Sequence, residues 1–216
     1  MRLFIGIPLA DNAVGELSAL VSRLRSGERG TEPGVSGLRW VAPESWHITL
    51  QFLGSSTLEQ LQCLGGRLGE VRNATVPVEL GELGCFERAG VFFADIVVSP
   101  ALANLQQRVV SATSACGFVA ETRPFHPHIT LARKVGNKLP PRANIARRGL
   151  RSAAREQESE NPRSGAHSLR DLIAKAGTYR FSRFTAHEFL LYESHLGSEG
   201  SRYEIRGRFP LPGRET

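Results

Sequence analysis

Two stretches of the sequence share a tetrapeptide: Trp46–Gly54 reads WHITLQFLG, and Phe125–Arg133 reads FHPHITLAR. His-Ile-Thr-Leu therefore occurs once in each half of a chain that holds only six histidines. Alternate side chains of a β-strand share a face, so His47 and Thr49 point one way while the isoleucine and leucine point into a core. The second stretch repeats this alternation. The repeat predicts two related strands that line one cleft.

Apolar periodicity, helix caps and turn residues predict the elements around the two stretches. Strands are expected at residues 2–7, 38–41, 46–53, 76–83, 91–98, 128–132, 184–192 and 203–209. Helices are expected at 11–25, 57–71, 100–115 and 168–176. In the second helix, the side chains expected to face inward are Leu58, Leu61, Leu64 and Leu68. This order predicts an α+β fold in which two similar lobes face each other, within one domain over residues 1–216.

The composition is that of a globular protein, with 41% hydrophobic residues and a mean hydropathy of −0.19. No apolar run approaches the length of a membrane span, and the start, MRLFIGIPLADNA, lacks the features of a signal peptide. The three cysteines, Cys63, Cys85 and Cys116, are widely spaced and form no metal-binding motif. We therefore expect reduced cysteines in a cytoplasmic protein that has no membrane contact and acts as a monomer.

Positive charge is concentrated in one region of the chain. Of its 27 lysines and arginines, ten lie between Arg133 and Arg170, together with only three of its 21 acidic residues. Residues 142–165 show almost no hydrophobic periodicity, so we expect a flexible basic loop there. A local basic field suits an anionic partner such as RNA, although a solvated loop in an arginine-rich protein explains the same composition.

The repeated pattern supplies the groups that phosphodiester hydrolysis needs. Histidine titrates near neutral pH, so one of His47 and His128 can act as general base while the other, protonated, acts as general acid. The hydroxyls of Thr49 and Thr130 can donate to phosphate oxygens and stabilise charge in the transition state. No metal, nucleophilic serine or cofactor is required. A single His-x-Thr in a strand is weak support for catalysis, but two identical tetrapeptides favour it.

Two further residues with ionisable side chains lie next to the second motif. His126 lies two residues before His128, but Pro127 breaks the alternation and no further ligand cluster is evident, so we expect His126 to support the site or to lie on the surface. Arg133 follows Thr130 by three residues, and simple alternation puts it on the opposite face. It reaches the cleft only if the strand twists or ends there.

The remaining histidines and the aromatic residues near the motifs are expected to have structural roles. His167, His187 and His195 have no partner motif. Phe93 and Phe125 could stack a nucleobase, but such residues more often belong to the core. Trp40 and Trp46 are expected in the core.

The chain resembles the 2H phosphoesterases, and within them the bacterial RNA 2',3'-cyclic phosphodiesterases, also called 2'-5' RNA ligases. The stretches that carry the resemblance are MRLFIGIPL, LRWVAPESWHITLQFLG, RPFHPHITLAR and LYESHLGSEGSRYEIRGRFPL. It covers residues 2–134 and 181–211 and leaves out the 142–165 segment. The resemblance implies a bilobal fold with two antiparallel sheets around a central cleft, helices outside, and neither metal nor cofactor.

The resemblance also implies roles for individual residues. His47 would be the general acid that protonates the departing ribose O3', and His128 the general base that activates water. Thr49, Thr130 and Arg133 would bind the phosphate. The implied substrate is RNA with a 2',3'-cyclic phosphate end or a small cyclic nucleotide, and the implied product carries a 2'-phosphate.

Two alternatives remain open from the sequence. The same fold can act on another cyclic nucleotide or on 2'-5' linkages, including weak ligation by the reverse reaction. A different class of function is a binding module that holds RNA ends through the basic loop without turning them over.

Overall fold

The computed structural model describes residues 1–26, 37–135, 169–197 and 200–212. Its strands are β1 (Arg2–Pro8), β2 (Leu38–Trp40), β3 (His47–Ser55), β4 (Val76–Val78), β5 (Leu80–Phe86), β6 (Val91–Ile96), β7 (His128–Lys134), β8 (Phe184–Ala186), β9 (Glu188–Gly197) and β10 (Gly200–Pro210). Its helices are α1 (Asp11–Ser26), α2 (Leu58–Gly69), α3 (Pro100–Ser114) and α4 (Leu169–Ala176), with a 3-10 turn at Pro43–Ser45. The loop predicted at 142–165 lies outside the described residues, as does His167.

Two four-stranded sheets make up most of the fold. The first has the strand order β10-β9-β1-β3, and the second has the order β2-β7-β6-β5. All neighbouring strands within them are antiparallel. A third, two-stranded sheet pairs β4 with β8. Each large sheet contains one His-Ile-Thr-Leu strand, and β3 lies against β7. The α+β prediction with two antiparallel sheets is confirmed.

The helices begin where the sequence provides caps. Thr57 and Gln60 form a reciprocal capping box at the start of α2, each side chain bonding the backbone N–H of the other. Ser99 accepts a hydrogen bond from the N–H of Leu102 at the start of α3, and Pro100 occupies its first turn. These caps satisfy N–H groups that a helix cannot pair internally.

Strand β1 shows how the sheet separates two apolar regions. Leu3, Ile5 and Ile7 belong to the main core, which they share with the buried faces of the helices. Phe4 points to the opposite face and joins a small separate cluster with Tyr192. The face that carries Phe4 is the face that carries the first histidine motif, because Phe4 lies 4.6 Å from His47 between ring centroids.

Two predicted strands are each divided in the structure. The expected strand at 76–83 becomes β4 and β5, and the expected strand at 184–192 becomes β8 and β9. In both cases the chain changes sheet: β4 and β8 pair with each other, whereas β5 and β9 join the two large sheets. Apolar alternation continues through such a change, so periodicity alone does not reveal it. Leu58, expected to face inward, is 60% exposed at the first position of α2.

The expectation of reduced cysteines is wrong for two of the three. Cys63 of α2 and Cys116, which follows α3, form a disulfide across a sequence separation of 53. The packing of α2 against α3 brings the two Cα atoms to 5.8 Å, a proximity that sequence spacing does not show. Cys85 is a free thiol. None of the described helices is both long and apolar enough to cross a bilayer.

Candidate active site

Both histidine strands contain a β-bulge at the leucine of the repeated tetrapeptide. In the pairing of β1 with β3, Gln51 and Thr49 lie opposite consecutive residues, which leaves Leu50 as the extra residue. In the pairing of β6 with β7, Ala132 and Thr130 lie opposite consecutive residues, so Leu131 is extra. A bulge of this kind changes the face to which later side chains point.

The bulge in β7 brings Arg133 to the face of the second motif. Leu131 and Ala132 are both fully buried, so two consecutive side chains point into the core. Arg133 then returns to the side of His128 and Thr130, where it is partly buried. Simple alternation, which placed Arg133 on the opposite face, fails because it assumes a regular strand.

The bulge in β3 has the same effect on the first motif. Leu50 and Gln51 are both buried, and the Gln51 side-chain oxygen accepts a hydrogen bond from the Thr113 hydroxyl of α3 at 2.8 Å. Phe52 therefore returns to the side of His47 and Thr49, where it is 59% exposed. The two motifs thus share the local structure as well as the sequence.

Backbone carbonyls orient the two histidine rings in the same way. Nδ1 of His47 donates to the carbonyl oxygen of Ser45 at 2.8 Å, and Nδ1 of His128 donates to the carbonyl oxygen of His126 at 2.9 Å. Because a carbonyl can only accept, the proton of each neutral ring is on Nδ1. The lone pair is consequently on Nε2 in both rings, which can bind or release a proton there.

Aromatic rings surround His47. Its ring centroid lies 4.6 Å from Phe4, 5.1 Å from Tyr203 in an edge-on arrangement, and 5.9 Å from Tyr192. Burial among these groups lowers the pKa of His47 from 6.5 to about 4, and the nearby charges of His128 and Arg133 act in the same direction. The strands that carry the two motifs lie against each other, and Arg133 shares the face of the second motif.

His128 has a similar but less apolar environment. Its ring centroid lies 5.1 Å from Phe93 and 5.3 Å from Phe86. Burial lowers the pKa of His128, and His126 and Arg133 lower it further, against the opposing effects of the backbone hydrogen bond and Asp95. Both motif histidines are therefore more readily neutral in the ligand-free protein than a histidine in water.

Two arginines lie side by side next to the second motif. Arg39 of β2 is the direct partner of Arg133 in the sheet. Burial lowers the pKa of Arg133, Tyr203 opposes this effect, and Arg39 adds to it. Like charges opposite each other in a sheet are destabilising unless an anion compensates them. The pair therefore indicates a place for a negatively charged group.

The other described histidines and aromatic neighbours lie on the surface or pack in and against the core. The ring of His126 donates from Nε2 to Asp95 at 3.1 Å, and both side chains are exposed. Its backbone carbonyl is the acceptor that orients His128. His187 is exposed and lies just before β9. Phe93 and Trp46 are buried, whereas Phe125 and Trp40 are partly buried and pack against the core.

Among the described residues, one group of side chains has donors close enough for a metal ion: Glu193, His195 and Glu204 on the β9–β10 hairpin. It contains neither motif histidine. Arg206 forms ion pairs with both carboxylates, at 3.8 Å and 3.1 Å. The predicted mechanism does not use this group.

Arg39 and Tyr203 lie at the candidate site, and the sequence did not single them out. Both lie in quoted stretches of the family resemblance, but neither belongs to a repeated motif. Their positions depend on sheet pairing, which brings β2 beside β7 and β10 near β3 through two intervening strands. The repeat did contain a signal for Phe52, because Phe52 follows Thr49 by the same offset as Arg133 follows Thr130.

The model of the 2'-5' RNA ligase superfamily matches residues 14–157. The chain belongs to this superfamily. Among curated members, the RNA 2',3'-cyclic phosphodiesterase of Bacillus subtilis is 30% identical over 136 residues, 61% of this chain and 70% of that protein. The RNA 2',3'-cyclic phosphodiesterase of Geobacillus stearothermophilus is 32% identical over 215 residues, 97% of this chain and 57% of that protein.

Solved structures support the same superfamily fold. A protein of Thermus thermophilus is 24% identical with a TM-score of 0.66, and the match covers 100% of both chains. Escherichia coli LigT in its apo form is 22% identical with a TM-score of 0.63, covering 98% of this chain and 97% of that one. At these identities the likeness concerns the fold. It confirms the bilobal arrangement expected for the superfamily.

Proposed function

We propose that this protein hydrolyses the 2',3'-cyclic phosphate end of RNA to a 2'-phosphate, using two histidines and no metal ion. The observation that carries the proposal is the duplicated setting of His47 and His128, each held through Nδ1 by a carbonyl two residues earlier. Two rings that are held in the same way beside an arginine pair are suited to general acid–base catalysis at a phosphate group. The names of the curated relatives, RNA 2',3'-cyclic phosphodiesterase, support this substrate.

The reaction needs one water molecule and two proton transfers. Nε2 of His128 takes a proton from water as its oxygen attacks phosphorus. The bond between phosphorus and O3' breaks in line with the attack, and Nε2 of protonated His47 gives its proton to O3'. The products are a 3'-hydroxyl and a 2'-phosphate. Thr49, Thr130 and Arg133 would bind the non-bridging oxygens as negative charge builds on them.

The electrostatics of the site imply that His47 gains the proton it needs as general acid when the substrate binds. A pKa of about 4 leaves His47 mostly neutral at pH 7 in the ligand-free protein. The charge of a bound phosphodiester favours the protonated ring and raises its pKa. The assignment of acid to His47 and base to His128 follows the resemblance to the 2H phosphoesterases, because burial alone favours the neutral form of both rings.

We also propose a partner, an oligomeric state and a cellular compartment for the protein. RNA with a cyclic phosphate end, or a small cyclic nucleotide, is the partner, and a cytoplasmic monomer without a cofactor is the working form. Light scattering on the purified protein tests the monomer, and fractionation of cells tests the compartment.

The decisive experiment uses an RNA ending in a 2',3'-cyclic phosphate, incubated with the protein in EDTA. The terminal phosphate of the product is then identified. We expect a 2'-phosphate from the wild type, and a loss of at least about 100-fold in turnover for both His47→Ala and His128→Ala. His187→Ala is the matched control because its side chain is exposed.

Each other outcome would change a different part of the proposal: the mechanism, the product or the function. Turnover near that of the wild type in both variants would overturn the two-histidine mechanism. A 3'-phosphate product would reverse the roles of the two ribose oxygens. Tight RNA binding without turnover would support the binding module. A preference for another cyclic nucleotide, or for 2'-5' linkages, in the same assay would keep the fold and change the substrate.

A further inference from the structure

We propose that Asp95 is a positioning residue for His128: its carboxylate stabilises the protonated ring that forms when His128 takes a proton from water. The inference rests on the proposed function and adds a residue to its machinery. Asp95 of β6 is the direct cross-strand partner of His128 in the second large sheet. The Cβ atoms of such partners are about 5 Å apart, so the carboxylate is close enough to act on the charge of the imidazole.

The register of β6 places Asp95 on the face of the second motif. Phe93 is the partner of Thr130, and Asp95, two residues later, is the partner of His128. The bulge in this pairing precedes Phe93, so the alternation between Phe93 and Asp95 is regular. Asp95 therefore points to the side of the sheet on which the Phe93 ring contacts the His128 ring, at 5.1 Å between centroids.

Asp95 is also linked to His128 through His126. Nε2 of His126 donates to Oδ1 of Asp95 at 3.1 Å, and the backbone carbonyl of His126 accepts the hydrogen bond that orients His128. The N–H of Ile96 donates to the carbonyl of Pro127 at 3.1 Å, which ties the residue between the two histidines to β6. Strand β6 thus anchors the segment that orients the His128 ring.

The first motif differs at the equivalent position. The partner of His47 in its sheet is Pro8, whose side chain has no charge. The charges of His128 and Arg133 act on His47, and both disfavour its protonated form. In the proposed reaction His128 becomes positively charged as it takes the proton. Asp95 can compensate this charge, because an anion beside an imidazole stabilises the protonated ring.

The effect of Asp95 competes with that of other charged groups facing His128. These groups are His126 in the preceding segment, His47 of β3 and Arg133 of the same strand. His126 and Arg133 lower the pKa of His128, whereas Asp95 raises it. The side chain of Asp95 is 42% exposed, so solvent screens part of its effect. Removal of its charge should therefore produce a moderate change.

Two measurements on Asp95→Asn, which removes the charge but keeps an acceptor for His126, test the proposal. NMR follows the titration of the His128 ring in the ligand-free protein, and kinetics give the pH profile of kcat/KM for the cyclic-phosphate RNA. The NMR titration and the acidic limb of the profile should both move to lower pH, because protonated His128 loses its compensating charge. The value of kcat should fall about two- to fivefold, as for a partly exposed charge pair, with KM almost unchanged.

Further variants separate the charge of Asp95 from its structural role. Asp95→Glu keeps the charge and should recover most of both changes. Glu204→Gln is the matched control, because Glu204 is an exposed carboxylate whose Oε2 lies 3.3 Å from Nε2 of His195. It should leave the His128 titration and the rate profile unchanged. The NMR signal of His128 is identified by its loss in His128→Ala.

An unchanged His128 titration in Asp95→Asn would overturn the inference, as would a loss of rate at every pH without movement of the acidic limb. An equal shift in Glu204→Gln would also overturn it, since the effect would then come from the net charge of the protein. If the wild type does not hydrolyse the RNA, the proposed function fails. The NMR titration still decides in that case whether Asp95 acts on His128.

Discussion

The ring of His47 combines a fixed orientation with an apolar environment. Its Nδ1 proton is held by the Ser45 carbonyl, and its faces and edges contact Phe4, Tyr192 and Tyr203. The rings that cover part of His47 contribute to the burial that lowers its pKa. The sequence identified the histidine through the repeat, but these aromatic neighbours come from β1, β9 and β10, and their proximity follows only from the sheet order.

The lowered pKa of His47 predicts how stability depends on pH. The folded-state pKa of about 4 lies below the ordinary value of 6.5, so between these values the unfolded chain binds more protons. The free energy of unfolding should therefore fall as pH falls from 6.5 to 4, by about 3 kcal/mol from this group. His47→Gln lacks this contribution.

Urea unfolding of both proteins at pH 7 and pH 4.5 measures the difference. We expect the wild type to lose more stability than His47→Gln on acidification. Parallel losses in the two proteins would show that the pKa of His47 is not lowered in the folded state. His128, whose pKa is also lowered, is present in both proteins, so its own loss of stability on acidification occurs in both.

At the scale of elements, the bulged strand is the unit that builds the site. Each of β3 and β7 places a histidine, a threonine and the residue after the bulge on one face. The strands themselves were predictable from apolar alternation. The bulges were not predictable, because an extra residue disturbs the alternation by a single position. In the sequence, Leu131-Ala132 looks like an ordinary apolar pair.

The pairing of β1 with β3 gives a prediction about Gly6. A Cβ at this position would lie 2.9 Å from the carbonyl oxygen of Ile48 and 3.4 Å from the Cδ2 atom of His47. The first distance is too short for a real contact, so β1 or the strand that carries His47 must shift. We expect Gly6→Ala to lower kcat/KM for the cyclic-phosphate RNA by about 10-fold or more, because misplacing a catalytic group by about 1 Å has a cost of this order.

Gly15→Ala in α1 is the control, since a Cβ there meets nothing within 4 Å. This variant should retain full activity and gain about 0.5–1 kcal/mol in stability, because alanine suits a helix better than glycine. Steady-state kinetics and urea unfolding on both variants separate the effects. If Gly6→Ala loses only stability and keeps its kcat/KM, the contact between Gly6 and the motif strand has no role in positioning His47.

At the scale of the whole molecule, the two motif strands share the same bulged backbone, but the residues around them differ in chemistry. The duplicated strands place a histidine and a threonine on each side of one cleft, while Arg39 and Arg133 make one side cationic and Phe4, Phe52 and Tyr192 make the other aromatic. The sequence revealed the duplication because four consecutive residues are identical. The difference in chemistry was hidden, because it comes from residues outside the tetrapeptide and from strands distant in sequence.

The disulfide is the other feature that acts on the whole molecule. It joins α2 to the turn after α3 across 53 residues of sequence, a segment that includes β4, β5 and β6. Closing a loop of this length reduces the entropy of the unfolded chain and stabilises the fold by about 4 kcal/mol in the chain-entropy model. Reduction should therefore lower the free energy of unfolding by up to that amount.

Urea unfolding of the wild type with and without a thiol reductant tests this prediction, and the Cys63→Ser/Cys116→Ser double variant should show no response to the reductant. Cys85→Ser, which changes the free thiol, should respond like the wild type. Identical unfolding curves for the wild type in both conditions would show that the disulfide does not stabilise the fold. The result also bears on the proposed cytoplasmic location, because a reducing compartment opens accessible disulfides and the reduced protein must then be stable enough to work there.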